Sequence, residues 1–163
     1  MANLTTTKED PKKQLWDFIE EARAVMLGVP ATGMHMQPMA PQAAREENAI
    51  WFYTRRSSDL VKAAGAGKAH LCLIGADHDY HACLSGRLSM MHSRQHIDRF
   101  WSPVIAAWFD GKDDPDLIML VFLPDDAQIW ASSDSSFRFG WEIAKANLSG
   151  GEPDLGVYTH ITW

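Results

Sequence analysis

The sequence predicts a mainly β protein, an antiparallel barrel with peripheral helices, on three observations. Six or seven short segments carry strand character. Most follow one another in hairpin order, and the regular strand–helix alternation that a parallel doubly wound sheet needs is missing. The 163 residues suit one domain spanning 1–163, with an N-terminal helix near 10–27 and a C-terminal extension near 133–163. With 46% hydrophobic and 22% charged residues, the composition is that of a globular chain with a real core.

Asp10 and Pro11 offer an N-cap and a first-turn proline, and Leu15, Phe18, Ile19, Ala22 and Met26 recur at helical spacing. Together they predict an amphipathic first helix that ends before Gly28. Gly33 to Met39 alternates around a proline and reads as a strand, edge-like at Pro38. Ala49 to Thr54 is a second strand. Ser57 and Ser58 cap a short helix through Leu60, Val61, Ala63 and Ala64, closed by Gly65 and Gly67. Ala69 to Ala76 and Tyr80 to Met90 form a hairpin; with its turn centred between Asp77 and His78, Cys72 lies directly opposite Cys83. Ser93 caps a helix through Ile97, Phe100 and Trp101, and a second short helix runs from Pro103 to near Gly111. Leu117 to Leu123 and Ala127 to Ser132 read as two strands separated by a turn at Pro124, Asp125 and Asp126. A helix around Trp141 to Asn147 and a strand from Gly156 to Trp163 complete the chain.

Composition excludes several classes of function. Fifteen Lys and Arg against twenty-one Asp and Glu give a formal charge of -6, the wrong sign for tracking a phosphate backbone, so no nucleic-acid partner is expected. The first ten residues are polar and the longest aliphatic and aromatic run, Leu117 to Leu123, is far too short to span a membrane. Two cysteines fit neither a disulfide scaffold nor a four-ligand zinc site; two reduced thiols in a cytoplasmic protein are the expectation. Seven Trp and eight Met suit a planar ligand or an extensive interface as well as a core.

Two clusters could carry chemistry. Thr54, Arg55, Arg56, Ser57, Ser58 and, one turn later, Lys62 leave a hydrophobic strand and enter a helix N-terminus. Free amides, hydroxyls and guanidinium groups could converge there on a phosphomonoester, although serine caps and arginine loops are also ordinary structural features. His78 and His81 lie with Asp77 and Asp79 near a hairpin turn, and His92 and His96 share one helix face. Ser93 stands where a zincin motif has glutamate, and no third ligand is apparent, so solvated or packed histidines and no metal are expected. Neither a glycine-rich phosphate loop nor a nucleophile elbow is present.

The ordered string of Gln37-Pro38-Met39, Ile50-Trp51-Phe52-Tyr53-Thr54, Ser58, Leu71 to Ile74, Gly86, Phe100-Trp101-Ser102-Pro103, Asp113-Asp114-Pro115 and Ile129-Trp130 resembles the pyridoxamine 5'-phosphate oxidase-like FMN-binding split barrels, and more closely their general-stress-protein branch. The resemblance covers roughly residues 12 to 132 and continues through Phe139-Gly140-Trp141-Glu142. It implies a six-stranded split barrel, a homodimer, and FMN, with FAD as the alternative, at the subunit interface. Gln37 and Met39 would then flank the isoalloxazine ring, Thr54 and Ser58 would face the ribityl phosphate, His81 would make a polar ring contact, and Trp130 would fall near a tryptophan that reaches the flavin. Gln37 replaces a family arginine and Leu60 a family lysine, so Arg55, Arg56 or Lys62 would have to supply the positive charge. The activity so implied is a flavin-dependent oxidoreductase acting on a small-molecule redox partner. The alternatives are a flavin storage or sensing module and a flavin-free interaction protein. Turnover of pyridoxamine phosphate itself is not expected, because the oxidases' basic C-terminal motif is not recognisable in Phe139 to Trp163.

Overall fold

A computed structural model describes residues 1–132 and 156–163. Two helices open the chain, α1 (Leu4–Glu9) and α2 (Pro11–Glu21). The Asn3 carboxamide oxygen accepts from the Thr6 amide at 3.0 Å, and an Asp10 carboxylate oxygen accepts from the Lys13 amide at 3.0 Å. Each cap satisfies a first-turn N–H that the helix itself leaves free. α2 buries Leu15, Trp16, Phe18 and Ile19 in the core and stops at Glu21, where Ala22 turns to extended geometry.

Of the helix expected over 10–27 only Pro11–Glu21 forms, and its last turn is instead a strand, β1 (Val25–Gly28). Val25 and Leu27 are buried while Met26 points out, a two-residue alternation that the helical spacing of Ala22 and Met26 disguises. β2 (Gln37–Met39), β4 (Ala49–Arg55), β5 (Lys68–Ile74), β6 (Tyr80–Met91) and β8 (Gly156–Thr162) fall on expected strands, and β3 (Gln42–Ala44) is additional. α3 (Asp59–Ala63), α4 (Arg94–Phe100) and α5 (Pro103–Ala106) start where Ser58, Ser93 and Ser102 cap them. The helix expected around Trp141 to Asn147 lies outside the described residues.

The two strands expected on either side of Pro124 are one, β7 (Leu117–Ser132). The expected turn is a bulge: Gly86 of β6 pairs with Pro124 and Ser85 with Asp126, so Asp125 is the extra residue. The reason is the partner strand, since β6 pairs with β7 from Met119 to Ala131 and holds it extended through the proline. Eight strands thus replace the expected six or seven, all paired antiparallel in the order β2-β1-β5-β6-β7-β4-β3, with β8 also on β7. The sheet curls without closing; β2 and β3, three residues each, end its two sides.

The inner face of this half-barrel, carrying residues such as Ile50, Phe52, Leu71, Leu84, Leu120 and Phe122, packs on α2 and α3 as the main core. A second cluster lies on the other side of β4 and β7, where Trp51, Met119 and Val121 meet Ile97 and Phe100 of α4. Beyond that covered stretch, the outer face of β5, β6, β7 and β8 carries half-buried or exposed residues, among them Ile74, Cys72, Cys83, His81, Trp130 and Tyr158.

Gly86 is needed at the bulge because a β-carbon there would stand 2.9 Å from the Pro124 α-carbon and closer still to the Leu123 carbonyl oxygen. Gly86→Ala should lower stability by about 3 kcal/mol, the upper part of the range for forced overpacking. A urea unfolding curve with an unmoved midpoint would contradict this account.

Candidate functional site

A cleft of about 690 Å³ opens beside the ends of β2 and β4, within the roughly 300–1,000 Å³ of small-molecule sites. Its floor follows from strand register. Val25 and Leu27 face the core, and their partners across β1 and β2 are Met39 and Gln37, so both side chains lie on the inner side. Thr54 shares a face with buried Ile50 and Phe52 and arrives beside them at the end of β4. Ser57 and Ser58 line the same cleft from the turn into α3. The Ser58 hydroxyl accepts from the Leu60 amide at 3.2 Å and keeps its own proton free to donate.

The opposite wall is apolar. Val104, Ile105, Trp108 and Phe109 line it, and Trp108 is 70% exposed and Val104 74%, an unusual display of apolar surface on the four-residue α5 and the turn after it. Arg55 fixes this wall in place: its guanidinium donates to the Trp108 carbonyl at 2.6 Å and to Asp116 at 3.1 Å, and it lies 5.4 Å from the centre of the Phe109 ring. Arg56 donates to the Pro115 carbonyl at 2.8 Å. Asp114 holds the same loop by accepting the Asp110 and Asp116 amides at 2.9 and 2.8 Å, hydrogen bonds that keep its carboxyl below the usual range.

Five of the eight sequence-derived site residues, Gln37, Met39, Thr54, Arg55 and Ser58, therefore share one cleft. Lys62 does not line it and pairs with Asp59 at 2.9 Å. Leu60, at the position where the family pattern has lysine, is fully buried in the main core. His81 and Trp130, paired across β6 and β7, line a separate groove of about 240 Å³ with Ser132, Gly156 and Tyr158. The apolar wall of α5 escaped sequence reasoning, although Val104 to Phe109 after the Ser102-Pro103 cap is an apolar run too short for a core helix.

His96 is a packed histidine. Its ring stacks on Trp51 at 3.8 Å, Nδ1 meets the Ser93 hydroxyl at 2.6 Å, and Nε2 meets Glu47 at 2.9 Å. Among the described residues, no group of three His, Cys, Asp or Glu side chains could hold a metal ion, and no helix is long and apolar enough to cross a membrane.

The curled, open antiparallel sheet with a cleft at its mouth defines a split β-barrel. The family model described as pyridoxamine 5'-phosphate oxidase like matches residues 10–154, and the chain belongs to that family. Within it the likeness is to general stress proteins. General stress protein 26 of Bacillus subtilis (strain 168) is 26% identical over 129 residues, covering 75% of this chain and 89% of that protein. The crystal structure of a protein of the general stress protein 26 type from Jannaschia sp. CCS1 is 36% identical, with a TM-score of 0.77 over 95% of this chain and 99% of the other. That of the general stress FMN/FAD binding protein from Xanthomonas citri is 34% identical, with a TM-score of 0.71 over 79% of this chain and 93% of the other.

One cleft residue can be tested through pH. The Tyr53 hydroxyl donates to the Ile97 carbonyl at 2.7 Å, and burial, with the Asp98 charge second, pushes its pKa from 10.0 up to about 12. The folded state prefers the neutral phenol, so this stabilising share is complete below pH 10 and is lost as pH rises through about 12. Tyr53→Phe should make the alkaline fall of stability over that window shallower in denaturant titrations, with the buried phenol of Tyr80, shifted in the same direction, supplying the remainder. An unchanged alkaline limb would show that Tyr53 does not titrate with unfolding.

Proposed function

We propose that the cleft binds a flavin mononucleotide and that the chain is a flavin-dependent oxidoreductase of the general stress protein type, acting on a small-molecule acceptor. The observation that carries this is the division of one cleft into a polar end, with Thr54, Ser57, Ser58 and Arg55, and an apolar wall, with Trp108 and Phe109. That donor set suits a ligand with an anionic tail and a flat aromatic body. Family membership and the FMN/FAD-binding relative from Xanthomonas citri support the same reading.

In this reading Thr54 and Ser58 donate their hydroxyl protons to phosphate oxygens, and Arg55 supplies the nearest positive charge. Gln37 and Met39 bound the ring from β2, and Trp108 and Phe109 exclude water from it. A bound flavin would supply the redox chemistry. Two copies associate through the outer face of the sheet, where Tyr158 is 61% and Ile74 58% exposed among the described residues, so that each cleft gains His81 and Trp130 of the partner subunit.

One observation favours a second reading, flavin binding without turnover. Arg55 is held by Asp116 and Lys62 by Asp59, and Gln37 brings no charge, so a bound flavin would meet little positive charge to stabilise its reduced form.

Titration of flavin-free protein with FMN, FAD and riboflavin, read by tryptophan quenching and the visible flavin band, tests the proposal. Saturable one-to-one binding of FMN is expected. Thr54→Val with Ser58→Gly, a residue that a helix N-cap position tolerates, should weaken FMN at least tenfold while leaving riboflavin within about twofold. No binding of any flavin would leave the barrel as a flavin-free interaction protein. Binding without bleaching by NADH or NADPH would favour the second reading.

A further inference from the structure

Among the described residues, Arg55 and Asp59 are the charged side chains that line the cleft, and each is met by an opposite charge. Lys62 reaches Asp59 at 2.9 Å, and Asp116 reaches the Arg55 guanidinium at 3.1 Å. The two pairs are built differently. Asp59 and Lys62 are both 68% exposed and lie within one helical turn, an ordinary surface pair. Asp116 is fixed by the strands themselves: Arg55 stands opposite Leu117 in the β4–β7 ladder, which brings residue 116 beside Arg56. The Arg56 amide donates to the Asp116 carbonyl at 2.9 Å and to one of its carboxylate oxygens at 3.2 Å, while the Asp116 amide donates to Asp114 at 2.8 Å. The other carboxylate oxygen is thereby turned to Arg55.

Asp116 does not itself line the cleft, so its influence on a ligand passes through Arg55. Arg56 cannot take over, because it also lies off the cleft lining, with its guanidinium donating to the Pro115 carbonyl. A phosphate beside Thr54 and Ser58 therefore meets hydroxyl donors and one cation whose charge a fixed carboxylate offsets. An uncharged polyol tail meets the same hydroxyls and is indifferent to that charge. The Arg55 and Asp116 side chains are 51% and 38% exposed, so water and salt weaken the offset without removing it.

We propose that Asp116 sets how strongly the cleft prefers a phosphorylated flavin over an unphosphorylated one, by offsetting the charge of Arg55. Asp116 is a specificity residue that acts through another side chain and touches no part of the ligand. The inference rests on the flavin reading of the cleft. At the effective dielectric of a half-exposed site, removing one unit charge a single side chain away from a phosphate changes affinity by about three- to tenfold. The native cleft accordingly holds FMN with a smaller advantage over riboflavin than its hydroxyls and an unopposed Arg55 would give, and its FMN affinity depends only weakly on salt.

The test is to titrate the flavin-free full-length protein and Asp116→Asn, each checked for native circular dichroism, with FMN and with riboflavin at low salt and at about 0.5 M sodium chloride. Asparagine keeps the shape and one accepting oxygen and removes the charge. The ratio of FMN to riboflavin affinity should rise about three- to tenfold in Asp116→Asn at low salt, and the gain should shrink at high salt. Asp116→Glu, which restores the charge, should return the ratio toward the native value, and adding Arg55→Met to Asp116→Asn should abolish the gain. An unchanged ratio would overturn the inference, as would an equal weakening of both flavins, which is what a purely structural Asp116 would produce. A gain that survives Arg55→Met or high salt would overturn it too. Native protein that binds FMN while the variant's ratio stays fixed refutes this inference alone; native protein that binds no flavin refutes the flavin reading together with it.

Discussion

Strand β7 carries the architecture because both of its edges are paired along most of their length. Along one edge β6 accompanies it from Met119 to Ala131, and along the other β4 pairs with its first half and β8 with its second. Changing partners midway requires a change of direction, and the bulge at Asp125 provides one by adding a residue on one strand only. The two residues that permit it are complementary: Pro124 has no N–H to leave unpaired, and Gly86 has no side chain to collide with the displaced backbone. The end of β4, paired with the start of β7, then delivers Thr54 and Arg55 to the mouth of the half-barrel. The return of β8 brings the Trp163 indole to the Asn48 carboxamide at 3.1 Å, tying the end of the chain back beside the start of β4.

Most strands were legible because their alternation is visible along the chain. Lys68 to Ile74 alternates exposed or half-buried with buried residues without exception, and Tyr80 to Leu88 does the same. Three features were not legible, each for its own reason. β1 carries two core residues, too few to compete with the helical period running into it from Ile19. β3, reading Gln-Ala-Ala, has no strand preference and exists because Ile50 and Trp51 of β4 offer it a partner. The continuity of β7 depends on a neighbouring strand remote in sequence, whereas Pro124-Asp125-Asp126 is by itself an ordinary turn signal.

The cleft was legible at its polar end and illegible at its apolar one. Gln37, Met39, Thr54 and Ser58 sit on strands and a capped turn, where side-chain direction follows from local periodicity. The wall of Trp108 and Phe109 is placed by Arg55 and Asp116, 61 residues apart, and nothing local signals that long-range bond. The same holds for the cations: Arg55 and Lys62 could be chosen from sequence as phosphate partners, but their commitments to Asp116 and Asp59 emerge only from the fold. The opposition of Cys72 and Cys83, by contrast, needed only counting outward from a turn.

The sheet's two ends lead to a different conclusion about how this molecule meets others of its kind. β2 and β3 offer only three residues each, and Pro38 removes one of the donors that an incoming strand would use. Strand addition, the route by which open sheets recruit further chains into fibrils, is therefore hindered at these two edges, while β8, seven residues long and paired only with β7 among the described residues, keeps a longer edge. An open barrel is exposed to it, and here the two ends of the main strand order are the guarded ones.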